Sequence, residues 1–326
     1  MENNKKTKII LIIALIILSI ISLSIGVSSY NILDALKGNP DAMQIYYFIR
    51  LPRLLTTILA AFGLTIAGLI MQQLSQNKFV SPTTATTIDG AKLGAMLAII
   101  CFPGNQFSKA LTAFCFALLS TFLFISIIQR MKIKNAIFVP LIGLMLGGII
   151  DAITTFISFQ TNQVQNINSW MQGNLASVTK GNYEMLYLIV PLVLLAFFFA
   201  NRFTIAGMGE EFSKNLGMNY QKIMMVGLVI VALVAAIVLI TVGTVPFLGL
   251  VIPNIISMYR GDNIRNSLWE TALLGAVFLL ICDIISRVVI YPYEVSLSLI
   301  VGIIGSALFL YLIFSDEKRK NKGGAS

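Results

Sequence analysis

The chain has 326 residues, 57% of them hydrophobic and 11% charged, with a formal net charge of +9. A soluble domain of this composition would have little polar surface to offer water, and the basic residues lie in breaks between apolar runs rather than in an aromatic-interleaved nucleic-acid patch. The absence of histidine removes Ser-His-Asp and Cys-His catalysis, HExxH zinc sites and histidine proton relays.

A hydrocarbon layer ~30 Å thick is crossed by ~20 mostly apolar helical residues, whose backbone groups must be satisfied within the segment. The apolar stretches predict ten spans, at about 9–29, 50–74, 90–103, 108–128, 136–159, 184–201, 221–244, 247–259, 268–290 and 295–314. Lys5, Lys6 and Lys8 precede the first. Its apolar run is longer than a secretory h-region and no A-x-A site follows, so it reads as an uncleaved helix. Asp34, Lys37 and Asp41 mark a polar connection, Arg130, Lys132 and Lys134 fill one turn, and 160–182, with Trp170, is long enough for a short interfacial helix. Cys101, Cys115 and Cys282 lie in apolar runs without a CxxC pattern and read as buried small hydrophobes. The expectation is an all-α polytopic protein, one transmembrane domain over 1–326 with short tails at about 1–8 and 315–326.

With a cytosolic N-terminus, ten crossings return the C-terminus to the cytosol. Of the 23 Lys and Arg residues, all but Lys37, Arg50, Arg53, Lys109, Lys180 and Arg287 then fall on or near the cytosolic side, with Lys78 and Lys92 at its margin. That bias is the positive-inside rule. Spans two to five and seven to ten enter from opposite sides, and the second member of each set, 90–103 and 247–259, is short and carries Gly or Pro. Matching interrupted segments in two halves are the trace of an inverted repeat.

Three features rise above a generic bundle. Arg50-Leu51-Pro52-Arg53 opens the second span at its external end, with proline in a first helical turn, where its missing N–H costs nothing. The arginines read either as external contact groups or as snorkelling interfacial anchors. Residues 207–217 form a cytosolic loop that reads as a short amphipathic helix ended by Gly217, with Met208, Phe212 and Leu216 at i, i+4 and i+8 beside Gly209, Glu210 and Glu211. That stripe either docks in a partner's groove or packs back on the bundle. Gly249-Leu250-Val251-Ile252-Pro253-Asn254-Ile255 leads to Arg260-Gly261-Asp262-Asn263, and later to Asp283 and Arg287 at i, i+4. The last two can neutralise each other on one face, for structure or for function.

Together these resemble the FecCD-type (BtuC-like) permeases, the membrane subunits of ATP-binding-cassette importers for ferric siderophores, haem and vitamin B12. Arg-Leu-Pro-Arg at 50, Ala-Gly-Leu-Ile-Met-Gln at 67–72, the Gly-Glu-Glu loop, the 249–255 motif and the Asp283–Arg287 span occur in family order over nearly the whole chain. The chain departs from the usual pattern at Asn77-Lys78-Phe79-Val80-Ser81-Pro82, at Asn254, where histidine is common, and at Glu294-Val295-Ser296-Leu297-Ser298. These variants are similar to the Gram-positive permeases for catecholate siderophores such as petrobactin.

The resemblance implies a transport subunit in the plasma membrane of a Gram-positive bacterium, not an enzyme, moving a ferric siderophore into the cytosol. The implied partners are a second permease (a copy or a paralogue), two cytosolic ATPases and an extracellular lipoprotein that binds the substrate. ATP is then used by the ATPases, as this chain has no Walker A loop and is expected to hold no cofactor or metal. By the same resemblance Met208, Gly209, Glu210, Glu211, Phe212, Leu216 and Gly217 dock the ATPase, Arg50, Arg53 and Arg287 dock the binding protein, and Asn77, Phe79 and Asn135 close the cytosolic gate. The alternatives are a haem or vitamin B12 permease within the family, or a proton- or sodium-coupled carrier using Asp151 and Asp283.

Overall fold

The computed structural model describes residues 2–323 apart from 27–29, 31–33, 36, 132–137 and 262, with side chains from residue 6 onward except 170, 171 and 315–323. After α1 (Glu2–Ser24), α2 (Pro40–Ile45) starts on an Asn39 cap whose side chain accepts from the amides of Asp41 and Ala42. It runs through a π-turn (Tyr46–Arg50) into α3 (Leu51–Leu74). The second span was expected to begin at 50. The earlier start carries a readable signal, an Asn cap followed by proline at the first helical position, which the surrounding polar residues obscured.

The chain continues as α4 (Thr87–Cys101), α5 (Gln106–Arg130), α6 (Phe138–Gln160), α7 (Val164–Met171), α8 (Ile189–Ala206, entered through a 3-10 turn), α9 (Glu210–Asn215), α10 (Tyr220–Thr241), α11 (Leu248–Arg260), α12 (Ile264–Val288) and α13 (Leu297–Gly323). Eight segments among the described residues are long and apolar enough to cross a membrane. The other two of the expected ten are α4 and α11, with 15 and 13 residues, too short for a full crossing. The first helix ends at Ser24, short of the expected 29, and the last runs on to Gly323. The interfacial helix expected within 160–182 is α7; the side chain of Trp170 lies outside the described residues. Cys282 is buried as expected, but Cys101 and Cys115 are exposed on the chain's surface.

The centre of the bundle is built on the two most enclosed long helices, α3 and α10. Each packs on the short helix of the other half, α3 on α11 and α10 on α4. Both short helices start from a non-glycine residue in the left-handed region, Thr86 at φ 64° and Phe247 at φ 60°. Such residues cost energy and persist where surrounding contacts over-determine them. Both starts lie partway along a neighbouring long helix. Gly249 sits against Leu64 and Gly68 of α3, and Thr86 and Thr87 exchange hydrogen bonds with Ser120 and Thr121 of α5. Each short helix is the second member of its set of spans, the feature on which the expectation of a repeat rests.

Two motifs that are 180 residues apart in the chain meet at the α3–α11 crossing. Pro253 has no N–H for the carbonyl of Gly249, and that carbonyl faces Gly68, where no room remains for a Cβ. Asn254 Nδ2 donates to the carbonyls of Leu250 (2.9 Å) and Lys78 (2.8 Å). Two of the family's variant positions, 254 and the 77–82 turn, are therefore in contact.

The bundle has two distinguishable ends. The start of α1 meets the α11–α12 turn through Thr7, Arg260 and Glu270. Gly207 and Gly209 approach Gln73 and Gln76 at the same, proximal end. The distal end holds the close of α1, Arg50, Arg53, Arg287 and the 289–296 turn.

Candidate functional site

At the distal end Arg53 and Arg287 of the sequence reading meet on Asp283, and Arg50 joins Arg287 at the close of α1, but none of the three is presented outward. Arg50, Arg53 and Arg287 are 6%, 7% and 6% exposed. Neither reading of the sequence, external contact groups or snorkelling anchors, anticipated such burial, and a physical reason for it is visible. The last carbonyls of a helix have no partner within it and carry the negative end of its dipole. Arg50 Nη1 donates to Leu23 O (2.7 Å), and Arg287 Nη1 donates to Ser22 O (2.9 Å) and Ile25 O (3.1 Å). Two arginines, from the helices on either side, thus cap the end of α1. Arg50 also donates to Tyr46 Oη (2.5 Å) and stacks over that ring at 4.5 Å.

Arg53 serves a different set. Its Nε and Nη2 donate to Asp283 Oδ1 at 3.0 and 2.8 Å, and its Nη1 donates to both carboxylate oxygens of Glu294 at 2.9 and 2.8 Å. Asp283 is fully buried and uses its other oxygen on Arg287. Sequence spacing exposed the Asp283–Arg287 pair; nothing local pointed to Arg53 or Glu294 as the next members. Both oxygens of Asp283, a coupling carboxylate in the carrier alternative, are thus engaged by arginines.

At the proximal end, Met208, Phe212 and Leu216 are 60%, 47% and 58% exposed. The stripe does not pack back on the bundle. Only Glu210–Asn215 is helical, so Met208 and Leu216 flank α9 rather than belong to it. Gly209 at φ 111° and Gly217 at φ 73° turn the chain into and out of the helix, which a side chain would oppose. The buried Ser213 Oγ donates to Gly209 O (2.7 Å), with Ile205 O also near at 3.2 Å, pinning the opposite face. Glu210 and Glu211 are exposed, with Lys214 held by Glu210 at 2.8 Å.

Of the residues expected at a cytosolic gate, Asn77 and Phe79 are described. Asn77 is buried and its Oδ1 accepts from the amide of Phe79 (2.8 Å). The Phe79 ring meets Phe309 of α13 edge-on at 5.9 Å, and Phe309 in turn meets Phe247 at 6.3 Å. Asn135 lies outside the described residues.

Mid-bundle, Lys92 of α4 pairs with Asp151 of α6 at 2.5 Å. Lys92 was counted at the margin of a basic loop; it is instead a buried ion-pair member inside the helical layer. The Asp151 side chain is 47% exposed, and Gly148 one turn earlier has open space in front of it.

The geometry is that of a bundle of membrane-spanning helices, and the comparisons give its family. The FecCD transport family model matches residues 11–315. The petrobactin import system permease YclN of Bacillus subtilis (strain 168) is 50% identical over 93% of this chain and 96% of its own. The petrobactin permease FatD of Bacillus anthracis is 39% identical over 96% and 92%. Among solved structures, a metal-chelate type ABC transporter in an inward-facing conformation superposes with TM-score 0.80 over 95% of this chain and 99% of that one, at 23% identity, which speaks for the fold. With the family's span, its ordered motifs and the helical architecture in agreement, the chain belongs to the FecCD transport family as a multi-pass membrane permease subunit.

Proposed function

We propose that this permease carries a ferric siderophore of the petrobactin, catecholate class from the cell exterior to the cytosol as part of an ATP-binding-cassette importer. The observation that carries the substrate class is the 50% identity to a petrobactin import permease along nearly the entire chain. The proximal end is cytosolic in this reading, because the basic loops gather there. Two permeases, the second identical or a paralogue, then combine with two ATPases at the exposed Met208, Phe212 and Leu216 and with an extracellular binding lipoprotein at the distal end. Asn77, Phe79 and Asn135 belong to the cytosolic gate, and cysteines at 79 and 135 in a cysteine-free chain should, once cross-linked, stop uptake. Uptake unchanged by the cross-link would place the gate elsewhere.

The substrate test is iron-55 uptake in cells lacking their own siderophore permeases, supplied with this chain and its importer partners. Ferric petrobactin should enter, with ferric citrate and a ferric hydroxamate as poor competitors. Entry of citrate- or hydroxamate-bound iron with no entry of ferric petrobactin would overturn the assignment.

A further inference from the structure

We propose that Glu294 is an internal stand-in for a carboxylate of the docking protein, and that Arg53 alone among the three distal arginines exchanges partners when that protein binds. The proposal rests on reading the distal end as the binding-protein dock. It narrows that reading from three arginines to one and gives the site a resident competitor.

The three arginines differ in what they would have to give up. Arg50 and Arg287 hold backbone carbonyls at the α1 terminus, Leu23, Ser22 and Ile25, and Arg50 also holds Tyr30 O beyond it. Those carbonyls cannot move to water without moving the helix end. Arg53 is held on one side by the fully buried Asp283, and on the other by Glu294, whose side chain is 26% exposed. Of the two acidic partners of Arg53, Asp283 and Glu294, only Glu294 faces solvent, and it lies on the turn between α12 and α13 rather than on a helix. It can rotate into water while Asp283 keeps the guanidinium in place.

Exchange of one carboxylate for another at Nη1 preserves the two N–H···O bonds made there, at 2.9 and 2.8 Å in the resident pair. The guanidinium is already desolvated and oriented, so an incoming carboxylate meets a preorganised fork and Arg53 loses little further hydration on binding. The resident glutamate makes the exchange competitive. It also balances the two arginine charges, Arg53 and Arg287, with a second carboxylate beside Asp283 in the undocked permease. The turn that carries Glu294 is held by the Ile290–Tyr293 bridge and by Val295 N donating to Ser286 O at 3.0 Å, so exchange loosens a defined segment, 290–296.

The experiment uses the permease–ATPase complex in nanodiscs and the soluble domain of the importer's binding protein, with association read by surface-immobilised kinetics. Glu294→Gln should lower the half-saturating concentration about fivefold, the size of one exposed ion pair. Glu294→Asp, which keeps the charge on a shorter arm, should fall between it and the parent. Amide exchange at 290–296 in the unaltered protein should rise on docking. If Arg53→Gln weakens association but both Glu294 variants bind like the parent or more weakly, the stand-in is refuted while the docking reading survives. If Arg53→Gln leaves association unchanged, the docking reading fails and the inference with it. Failure of both Glu294 variants to assemble would make the residue a structural strut and also overturn the proposal.

Discussion

Asp283 and Glu294 illustrate how much the consequence of losing one carboxylate depends on its surroundings. Asp283 is fully buried between Arg53 and Arg287. Removing its charge leaves two guanidiniums facing each other in a water-poor site, and breaking a buried pair in this way costs about 3–5 kcal/mol. Asp283→Asn should therefore lower the melting temperature of the detergent-purified permease markedly and reduce its recovery, whereas Glu294→Gln, at the partly exposed edge, should change it little. Equal melting temperatures for Asp283→Asn and the parent would show that the network contributes no stability. Sequence spacing made Asp283–Arg287 legible because i, i+4 is a local relation. Arg53 and Asp283 are 230 residues apart, and no local pattern links them.

At the scale of elements, close approach of helices decides which glycines matter. Without a hydrophobic drive between helices in lipid, small residues at crossings supply the packing. Gly68 faces the Gly249 carbonyl with no space for a Cβ, while Gly148 on α6 has nothing within 4 Å. Gly68→Ala should separate α3 from α11 and cost about 1–3 kcal/mol of stability, with uptake lost. Gly148→Ala should assemble normally. If both variants assemble and transport alike, the tight crossing is not required. The α9 stripe leads to a second expectation. Phe212→Ala removes an aromatic anchor, and such anchors cost at least ~2 kcal/mol on truncation when they are interface hot spots. ATPase co-purification should drop while the permease still inserts; full ATPase recovery would refute the dock. The short helix and its stripe were readable from Gly217 and the i, i+4, i+8 spacing of Met208, Phe212 and Leu216, but the choice between an exposed stripe and one packed on the bundle was not. Whether an apolar row packs inward depends on what faces it, and here buried Ser213 takes the inward position.

For the whole molecule, the basic residues and the alternation of apolar runs predict an orientation that labelling can check. In a cysteine-free chain, a cysteine at Tyr293 should react with a membrane-impermeant maleimide in intact cells, and one at Leu216 only after permeabilisation. The reverse pattern would invert the topology and remove the distal end from contact with any extracellular partner. Both positions are well exposed in the chain, at 76% and 58%, so in the permease expressed without its ATPase and binding protein failure to label reflects the membrane side rather than burial.

The sequence by itself determined the helical class, the number and order of apolar segments, the two short ones and the family, because each follows from local hydropathy, charge placement or contiguous motifs. Only the tertiary structure decided what the polar residues inside that framework do. It turned Arg50 and Arg287 into caps for the end of α1, bound Arg53 to Asp283 and Glu294, paired Lys92 with Asp151, and set Gly68 under Gly249. The physical reason is that a charge in a low-dielectric layer needs a partner, and the nearest available one is fixed by how distant helices cross, which local periodicity does not encode.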